Sequence, residues 1–237
     1  MKRFSRTEML LGKEKMERIM NSAVLIFGIG GVGGHTMEAL ARSGIGKLGI
    51  VDKDRVDETN LNRQIIATEH TIGELKVDAA EKRLLSINPN LRIKKYPIFY
   101  LPETEDEIDF REYDYIVDAV DTVKAKLLII EKATTLGIPV ISAMGCGNRM
   151  DPGKLVITDI GKTEMDPLAK VMRKELKARG IKKVPVVYST EAPLKPIEGG
   201  EELPPGKKSI PGSTAFVPAS CGLLIASKII GDLTEEK

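Results

Sequence analysis

Short apolar runs and amphipathic segments alternate along the first two thirds of the chain. The apolar runs that we interpret as strands are 23–27, 47–52, 92–98, 115–120 and 139–143. Apolar positions recur at helical spacing between most of them, over 32–43, 75–87 and 123–136. This alternation predicts an α/β, Rossmann-like fold: a doubly wound, mostly parallel sheet with helices on both faces. In such a sheet, ligands bind at the edge where the strands end.

The two ends of the chain are less regular. Residues 8–20 place methionine and isoleucine among charges at helical spacing, which predicts an amphipathic helix before the first strand. After residue 150 we predict a strand near 154–160, a helix from Asp166 to about 178 with Pro167 at its first position, and a short final helix from about Gly222 to Asp232.

Residues 191–218 hold six of the chain's 13 prolines and show no apolar period. A loop of this length in a compact domain is usually functional, and we predict a mobile segment that folds over the site. The expected organisation is one domain over 1–237, with a core at about 20–160 and a substrate-facing part at 161–237.

Composition narrows the cellular context. The net charge of +2 means that an anionic partner must be held by local clusters of cations. Two cysteines suit a reducing cytosol and cannot form a four-thiolate zinc site, so we expect no zinc. The charged N-terminus lacks a signal-peptide pattern, and the apolar segment 215–231 is interrupted by Pro218 and Lys228. We therefore expect a cytoplasmic protein, with peripheral membrane contact through that segment left open.

A glycine-rich turn follows the first strand. Gly28, Gly30 and Gly33 match the dinucleotide fingerprint, in which backbone N–H groups approach a phosphate closely. Asp52 ends the second strand, where a carboxylate can accept both hydroxyls of a ribose. These features predict a nucleotide site, and they fit NAD, FAD and ATP alike.

Several polar residues favour a triphosphate over a dinucleotide. Asn60 and Arg63 lie on the loop after the second strand, and Lys76 begins the next helix. Two cations beside a phosphate-binding turn suit a leaving pyrophosphate, although each alone is more typical of a solvated surface. Asp121, at the end of the fourth strand, is a candidate Mg²⁺ ligand or, with Thr122, a helix cap. For Asp118 we expect a structural role.

The joint pattern resembles a known family. The glycine turn with Gly31, "VDKDRVDETNLNRQ", Lys76 in "GELKVDAA", "INP" at 87–89 and "DAVDT" at 118–122 resemble the ubiquitin-activating-like (ThiF/MoeB) adenylating enzymes over about residues 3–160. The resemblance implies attack of a substrate carboxylate on the α-phosphate of Mg-ATP, giving an acyl adenylate and pyrophosphate. It also implies a homodimer in which Arg6 enters the partner's ATP site.

By resemblance, Asp52 binds the ribose, Asn60, Arg63 and Lys76 bind the phosphates, and Asp121 binds magnesium. The expected catalytic residues are Arg6, Arg63, Lys76 and Asp121. The nucleotide-contacting residues expected in full are Gly28, Gly30, Gly31, Gly33, Asp52, Asp54, Asn60, Arg63, Lys76, Asp121 and Thr122.

The second half of the chain selects a branch of this family. Activators of sulfur carriers usually have two C-x-x-C pairs for zinc, which Cys146 and Cys221 cannot form. Segments 151–177, 188–191 and 217–222 instead look like the branch that activates the threonyl carboxylate of threonylcarbamoyladenosine in tRNA and cyclises it to an oxazolone. The alternative substrate is the C-terminal carboxylate of a ubiquitin-like sulfur-carrier protein.

A tRNA substrate needs a cationic surface, and the helix near 166–178 is the candidate. Its expected apolar stripe is Leu168, Val171, Met172 and Leu176. Its expected basic residues are Lys170, Arg173, Lys174 and Lys177, followed by Arg179, Lys182 and Lys183. A plain solvated face is the competing interpretation.

Three further hypotheses stay open at this point. One is an NAD-linked dehydrogenase, in which the cations near the turn are incidental. Another is a nucleotide-sensing scaffold for a cysteine desulfurase or sulfur-acceptor system. The third concerns Cys221, which the pattern places at the start of the last helix, where the helix dipole could lower its pKa for a thiol role; simple packing explains it equally well.

Overall fold

The computed structural model describes residues 2–195 and 211–235. Most of the loop predicted to close over the site, residues 196–210, lies outside the described residues. The flanking segments 191–195 and 211–215 are irregular, and the loop's last residues, from Phe216, belong to a helix.

The described residues form a seven-stranded sheet in the order β3-β2-β1-β4-β5-β7-β6. The strands are β1 (Ala23–Phe27), β2 (Lys47–Val51), β3 (Arg92–Tyr96), β4 (Tyr115–Asp118), β5 (Val140–Ala143), β6 (Leu155–Asp159) and β7 (Pro185–Ser189). All neighbouring pairs are parallel except β6 and β7, which are antiparallel. The order reverses beside β1, which is the position where doubly wound sheets bind ligands.

Helices cover both faces of this sheet. They are α1 (Ser5–Leu11), α2 (Lys13–Asn21), α3 (Gly33–Ser43), α4 (Lys76–Ile87), α5 (Val123–Thr135), α6 (Pro167–Ala178) and α7 (Phe216–Thr234). One apolar cluster joins the sheet to α2, α3, α4 and α7, and a second joins it to α5 and α6.

Strand β1 shows how the sequence builds these two layers. All five of its residues are buried. Val24 and Ile26 pack into the first cluster, whereas Leu25 and Phe27 pack into the second. Successive side chains of a strand point to opposite faces, so a strand buried on both faces needs a continuous apolar run. The predicted α/β Rossmann-like fold is confirmed.

Three elements differ from the sequence prediction. Strand β7 was not predicted, and it inserts between β5 and β6. The N-terminal helix is two helices, because Gly12 adopts a φ of 79° between them. Helix α7 begins at Phe216, six residues before the predicted start at Gly222.

The early start of α7 has a physical reason. Pro218 lies in the first turn of the helix, where its missing N–H is not needed. Gly222 stays inside the helix because α3 packs against it: a Cβ at this position would lie 2.9 Å from the Cβ of His35. The hydroxyl of Thr36 also donates to the carbonyl of Gly222 at 3.1 Å. The glycine therefore marks a close helix contact instead of a helix end.

Helix α7 is the one described helix that is long and apolar enough to cross a membrane, judged by length and composition alone. Its residues Val217, Cys221, Ile225 and Ile229 are fully buried against the rest of the protein. One face of α7 therefore packs in the core, whereas Phe216 and Leu223 on the same helix are exposed.

Candidate active site at the carboxyl edge of the sheet

A cavity of about 780 Å³ lies where the parallel strands end. This volume is within the range of pockets that bind small molecules. Its wall combines the glycine turn after β1, Asp52 after β2, Asp121 after β4, the segment 143–149 after β5, and the start of α6. The cavity thus gathers polar residues from five separate connections at one edge of the sheet.

The glycines of the turn are required for different reasons. A Cβ at Gly28 would lie 2.6 Å from the carbonyl oxygen of Ala119, and a Cβ at Gly33 would overlap the carbonyl oxygen of Gly28. The protein's own packing therefore demands both. At Gly30 the nearest atom to an added Cβ would be Nε2 of Gln64, at 3.9 Å. Because Gly30 also lines the cavity, its missing side chain leaves room for a ligand at the backbone.

Asp52 is held in place by two backbone donors. Its Oδ2 accepts from the N–H of Ile29 at 2.7 Å, and its Oδ1 accepts from the N–H of Asp54 at 2.9 Å. Burial raises the pKa of the Asp52 carboxyl, and the nearby ammonium of Lys76 and these two N–H groups oppose the shift. The carboxylate joins the end of β2 to the glycine turn and faces the cavity.

Lys76 lies at the start of α4 with only 7% of its surface exposed. Its Nζ is 3.3 Å from Oδ2 of Asp54, whose side chain is about half exposed. Both residues line the cavity. Asp54, which was expected to contact the nucleotide, therefore also pairs with Lys76 and holds its ammonium at the wall.

Asn60 and Arg63 lie on the connection between β2 and α4. Oδ1 of Asn60 accepts from the N–H of Asp57 at 3.2 Å, so its side chain closes the turn that carries it. The guanidinium of Arg63 donates to the carbonyl of Thr59 and to Oδ1 of Asn62, both at 2.9 Å. Both residues line the cavity, which places two cations, Arg63 and Lys76, beside the glycine turn.

The two aspartates after β4 have separate positions. Asp118 is fully buried, and its Oδ2 accepts from Nζ of Lys126 at 3.0 Å and from the hydroxyl of Ser142. This fits the structural role expected for it. Asp121 is exposed and lines the cavity. Thr122 precedes α5, but its side chain does not cap the helix. Its hydroxyl donates to Oδ1 of Asp121 at 3.2 Å. Thr122 is not among the described residues that line the cavity.

These residues fit a nucleoside triphosphate. An open backbone at Gly30, a carboxylate at the end of β2 and two cations beside the turn are the groups that such a ligand needs. The residues that the structure describes contain no group of three or more His, Cys, Asp or Glu side chains that could hold a metal. Mg²⁺ commonly binds through one or two carboxylates and the substrate's own phosphates, and Asp121 is placed to supply one.

Arg6 is exposed on α1, and it is not among the described residues that line the cavity of its own chain. Its expected role across a dimer interface stays a prediction.

The predicted position of Cys221, at the start of the last helix, is wrong. The residue lies inside α7, fully buried, and not at a helix N-terminus. Its interaction with the Cys146 thiol, together with burial, raises the pKa of Cys221 well above its ordinary value. A thiol of this kind is protonated at neutral pH, which argues against a nucleophilic or sulfur-relay role.

Helix α6 carries the expected basic face, with one correction to its apolar stripe. Ala169, Met172 and Leu176 are buried, whereas Val171 is 45% exposed. Lys170, Lys174 and Lys177 are exposed, share one face of the helix, and form no hydrogen bond or ion pair with other described residues. Arg173 instead donates to Oγ1 of Thr163 at 2.8 Å, and Arg179 pairs with Glu175.

Sequence reasoning missed several residues of the cavity wall, among them two that are buried with unpartnered polar atoms. Arg149 is 3% exposed, and its Nε and Nη1 have no hydrogen-bond partner. Gln64 is 7% exposed, and its Oε1 is also without a partner. Asp52 directly follows β2, whereas several residues separate Arg149 from the end of β5, so the pattern that identified Asp52 does not identify Arg149.

Comparison with known proteins agrees with this site. A model of the ThiF family matches residues 4–235. The tRNA threonylcarbamoyladenosine dehydratase of Bacillus subtilis is 41% identical over 98% of this chain and 95% of its own length. A solved structure of E. coli tRNA N6-threonylcarbamoyladenosine dehydratase, TcdA, in complex with ATP, is 32% identical and has a TM-score of 0.87 over 98% of this chain and 93% of that one.

The likeness to a sulfur-carrier activator is less extensive. The sulfur carrier protein adenylyltransferase of Thermus thermophilus is 37% identical, over 55% of this chain and 48% of its own length. The family resemblance inferred from the glycine turn and the residues around it is confirmed, and the chain belongs to the ThiF family.

Proposed function

We propose that this protein is an ATP-dependent tRNA threonylcarbamoyladenosine dehydratase. The observation that carries the proposal is the likeness to the B. subtilis dehydratase along 98% of the chain, which includes the part after β5 as well as the nucleotide site. ATP as a substrate is further supported by the TcdA complex with ATP and by the two cations beside the glycine turn.

The reaction has two steps. An oxygen of the threonyl carboxylate attacks the α-phosphorus of ATP, and the bond from that phosphorus to the pyrophosphate oxygen breaks. The ureido oxygen of the same nucleoside then attacks the acyl carbon, AMP leaves with the former carboxylate oxygen, and the ureido nitrogen loses a proton. The nucleoside thereby loses the elements of one water, and no enzyme nucleophile is required because the attack is intramolecular.

The residues of the cavity have distinct roles in this scheme. Asp52 accepts the ribose hydroxyls, while Asn60, Arg63 and Lys76 bind the phosphates and stabilise the charge on the departing pyrophosphate. Asp121 would hold Mg²⁺, which neutralises phosphate charge when bound. Burial raises the pKa of the Asp52 carboxyl. Protonation of this carboxyl, which competes with its binding of the ribose hydroxyls, therefore sets in at a higher pH than for an ordinary aspartate.

The tRNA binds through the basic face of α6. This helix begins at the cavity, where Asp166, Pro167 and Leu168 form part of the wall. Lys170, Lys174 and Lys177 are then available for phosphates of the RNA backbone, because other described residues do not engage them. Catalysis in a homodimer, with Arg6 completing the partner's site, belongs to the same proposal.

Likeness to the B. subtilis dehydratase supports a cytoplasmic enzyme. Neither membrane contact through α7 nor a cysteine desulfurase or sulfur-acceptor partner is needed for the chemistry above. Both stay predictions.

Mass spectrometry of nucleosides tests the proposal. Modified tRNA incubated with the protein and Mg-ATP should yield a nucleoside lighter by one water than threonylcarbamoyladenosine, together with AMP and pyrophosphate. The same tRNA without ATP serves as the control. Pyrophosphate exchange that responds to a sulfur-carrier protein but not to modified tRNA would reject the proposal in favour of the sulfur-carrier alternative.

A further inference from the structure

The wall of the cavity after β5 contains a buried cation that the scheme above does not use. Arg149 is 3% exposed and lines the cavity. Its Nη2 lies 3.8 Å from Oδ2 of Asp166, while its Nε and Nη1 are buried without a hydrogen-bond partner. Buried donors of a charged group are almost always paired in proteins, so unpaired ones call for an explanation.

Asp166 does not satisfy these donors, because its oxygens serve the backbone. Oδ1 accepts from the N–H of Ala169 at 2.8 Å and so caps α6. Oδ2 accepts from the N–H of Gly145 at 3.1 Å and so fixes the segment after β5. Asp166 therefore balances the charge of Arg149 and orients its side chain, while other donors of the guanidinium are left for a ligand.

The order of the strands gives Arg149 a defined place in the site. Along the carboxyl edge, Asp52 follows β2, the glycine turn follows β1, Asp121 follows β4 and Arg149 follows β5. Neighbouring strands are about 4.8 Å apart, so β5 is roughly 10 Å from β1, on the side away from Asp52. If the ribose binds at Asp52 and the phosphates lie along the glycine turn, the wall after β5 is a part of the cavity left for the acid that attacks the α-phosphate.

We infer that Arg149 binds the threonyl carboxylate of the substrate and holds it beside the α-phosphate of ATP. This inference rests on the proposed function. Arginine is well suited to the task, because its planar guanidinium is always charged and makes strong hydrogen bonds with carboxylates. The phosphates of ATP are served by Arg63 and Lys76 on the other side of the glycine turn. Arg149 thereby distinguishes tRNA that carries the threonylcarbamoyl group from tRNA that lacks it.

The test compares binding of two tRNAs, one with threonylcarbamoyladenosine and one identical but unmodified, in the presence of a non-hydrolysable ATP analogue. The wild-type protein should prefer the modified tRNA. Arg149→Gln should reduce this preference by roughly 10- to 100-fold, as expected for the loss of one charge-assisted contact. Its affinity for the ATP analogue, measured by calorimetry, should stay within about twofold of the wild type, because Arg149 lies outside the ATP-binding set.

Arg173→Gln is the matched control. Arg173 is half-buried in the middle of α6, and its guanidinium donates to Thr163 within the protein. This variant should retain the preference for modified tRNA. Loss of affinity for the ATP analogue in Arg149→Gln would indicate misfolding, and Arg149→Lys is then tested in its place. Lysine keeps the positive charge beside Asp166 but lacks the planar guanidinium. The lysine variant should lose part of the preference and raise the KM for modified tRNA more than it lowers kcat.

Two results would overturn the proposals, and they can be distinguished. An Arg149 variant that binds ATP and retains the full preference for modified tRNA would refute the role of Arg149 and leave the dehydratase function intact. A wild-type protein that shows no preference and forms no dehydrated nucleoside would refute the dehydratase function itself.

Discussion

The two halves of the sheet differ in how completely the charged groups at the cavity are paired. In the nucleotide half, β3-β2-β1, Asp52 accepts two backbone N–H groups and Lys76 pairs with Asp54. In the half formed by β5, β7 and β6, Arg149 keeps buried donors without partners beside Asp166. The difference suggests that the first half is built in advance for a ligand common to the family, whereas the second half is completed by its own substrate.

The largest expected change in stability comes from replacing Lys126, which connects the two halves of the sheet. Nζ of Lys126, on α5, donates to Asp118 at the end of β4 and to the carbonyl of Ala143 at the end of β5, at 3.0 and 2.7 Å. Lys126→Met leaves Asp118 as an unpaired charge in the core and should lower the free energy of unfolding by about 3–5 kcal/mol. Urea denaturation measures this loss.

Lys124→Met is the control for that variant, because Lys124 lies on the same helix but is exposed. It should change the free energy of unfolding by less than about 0.5 kcal/mol. Adding Asp118→Asn to Lys126→Met should recover part of the stability, since no buried charge is then left alone. A Lys126→Met protein as stable as the wild type would mean that this pair does not hold the two halves together.

The next largest effect is a loss of activity without a comparable loss of stability, in variants of the nucleotide half. Arg63→Ala and Lys76→Ala each remove a cation that faces the pyrophosphate, and should cost about 3 kcal/mol in kcat/KM, or roughly two decades. The free energy of unfolding should change by less than about 1 kcal/mol, because the ion pair of Lys76 is with a half-exposed carboxylate.

Lys82→Ala is the matched control on the same helix. Lys82 is 67% exposed and pairs with Glu74 outside the cavity. Its loss should leave kcat/KM unchanged within a factor of about two. Full activity in both the Arg63 and Lys76 variants would show that the triphosphate does not lie beside the glycine turn as proposed.

The glycine turn offers a contrast within a single motif. Gly33→Ala places a Cβ against the carbonyl of Gly28 and should destabilise the fold by about 1–3 kcal/mol. At Gly30 the added Cβ would meet only Nε2 of Gln64, at 3.9 Å, so Gly30→Ala should fold normally and bind ATP at least about tenfold more weakly. Thermal unfolding and ATP titration of the two variants measure the two losses. Normal ATP affinity in Gly30→Ala would mean that the ligand does not approach this backbone.

The same division explains what the sequence could predict. The nucleotide half is encoded by local signals: an apolar run, a glycine spacing and a carboxylate at the end of the next strand. Those signals placed Gly30, Asp52, Arg63 and Lys76 in one cavity before the structure was known, although their individual roles stay predictions.

The other half depends on contacts between segments far apart in the chain. Arg149 is buried because β7 pairs with β5 and Asp166 reaches back to Gly145, and neither contact leaves a local pattern near residue 149. The sequence predicts a helix start at Gly222, but this glycine lies inside α7 and contacts α3, which only the packing of the two helices reveals. The contact with Cys146 and the burial that together raise the pKa of Cys221 follow from the packing of α7 in the core.

The smallest expected effect lies at the opposite end of the nucleotide half from the cavity. Glu112 bridges Lys47 of β2 and Lys94 of β3, with oxygen–nitrogen distances of 2.7 and 2.9 Å. The hydrogen bonds from Lys47 and Lys94 lower the pKa of Glu112 to about 2. A carboxylate with a lowered pKa stabilises the fold at a pH above its unfolded value of 4.5, and this contribution is lost as the pH falls toward 2.

Glu112→Gln should therefore reduce the free energy of unfolding by less than about 1 kcal/mol at pH 7, since the bridge is partly exposed and screened by solvent. The difference between variant and wild type should shrink between pH 4.5 and about 2, and kcat/KM at pH 7 should not change. Glu103→Gln, which removes an exposed carboxylate elsewhere, controls for net charge. A large loss of activity in Glu112→Gln would show that the far end of this half is coupled to the cavity, so that pairing within the nucleotide half serves catalysis as well as stability.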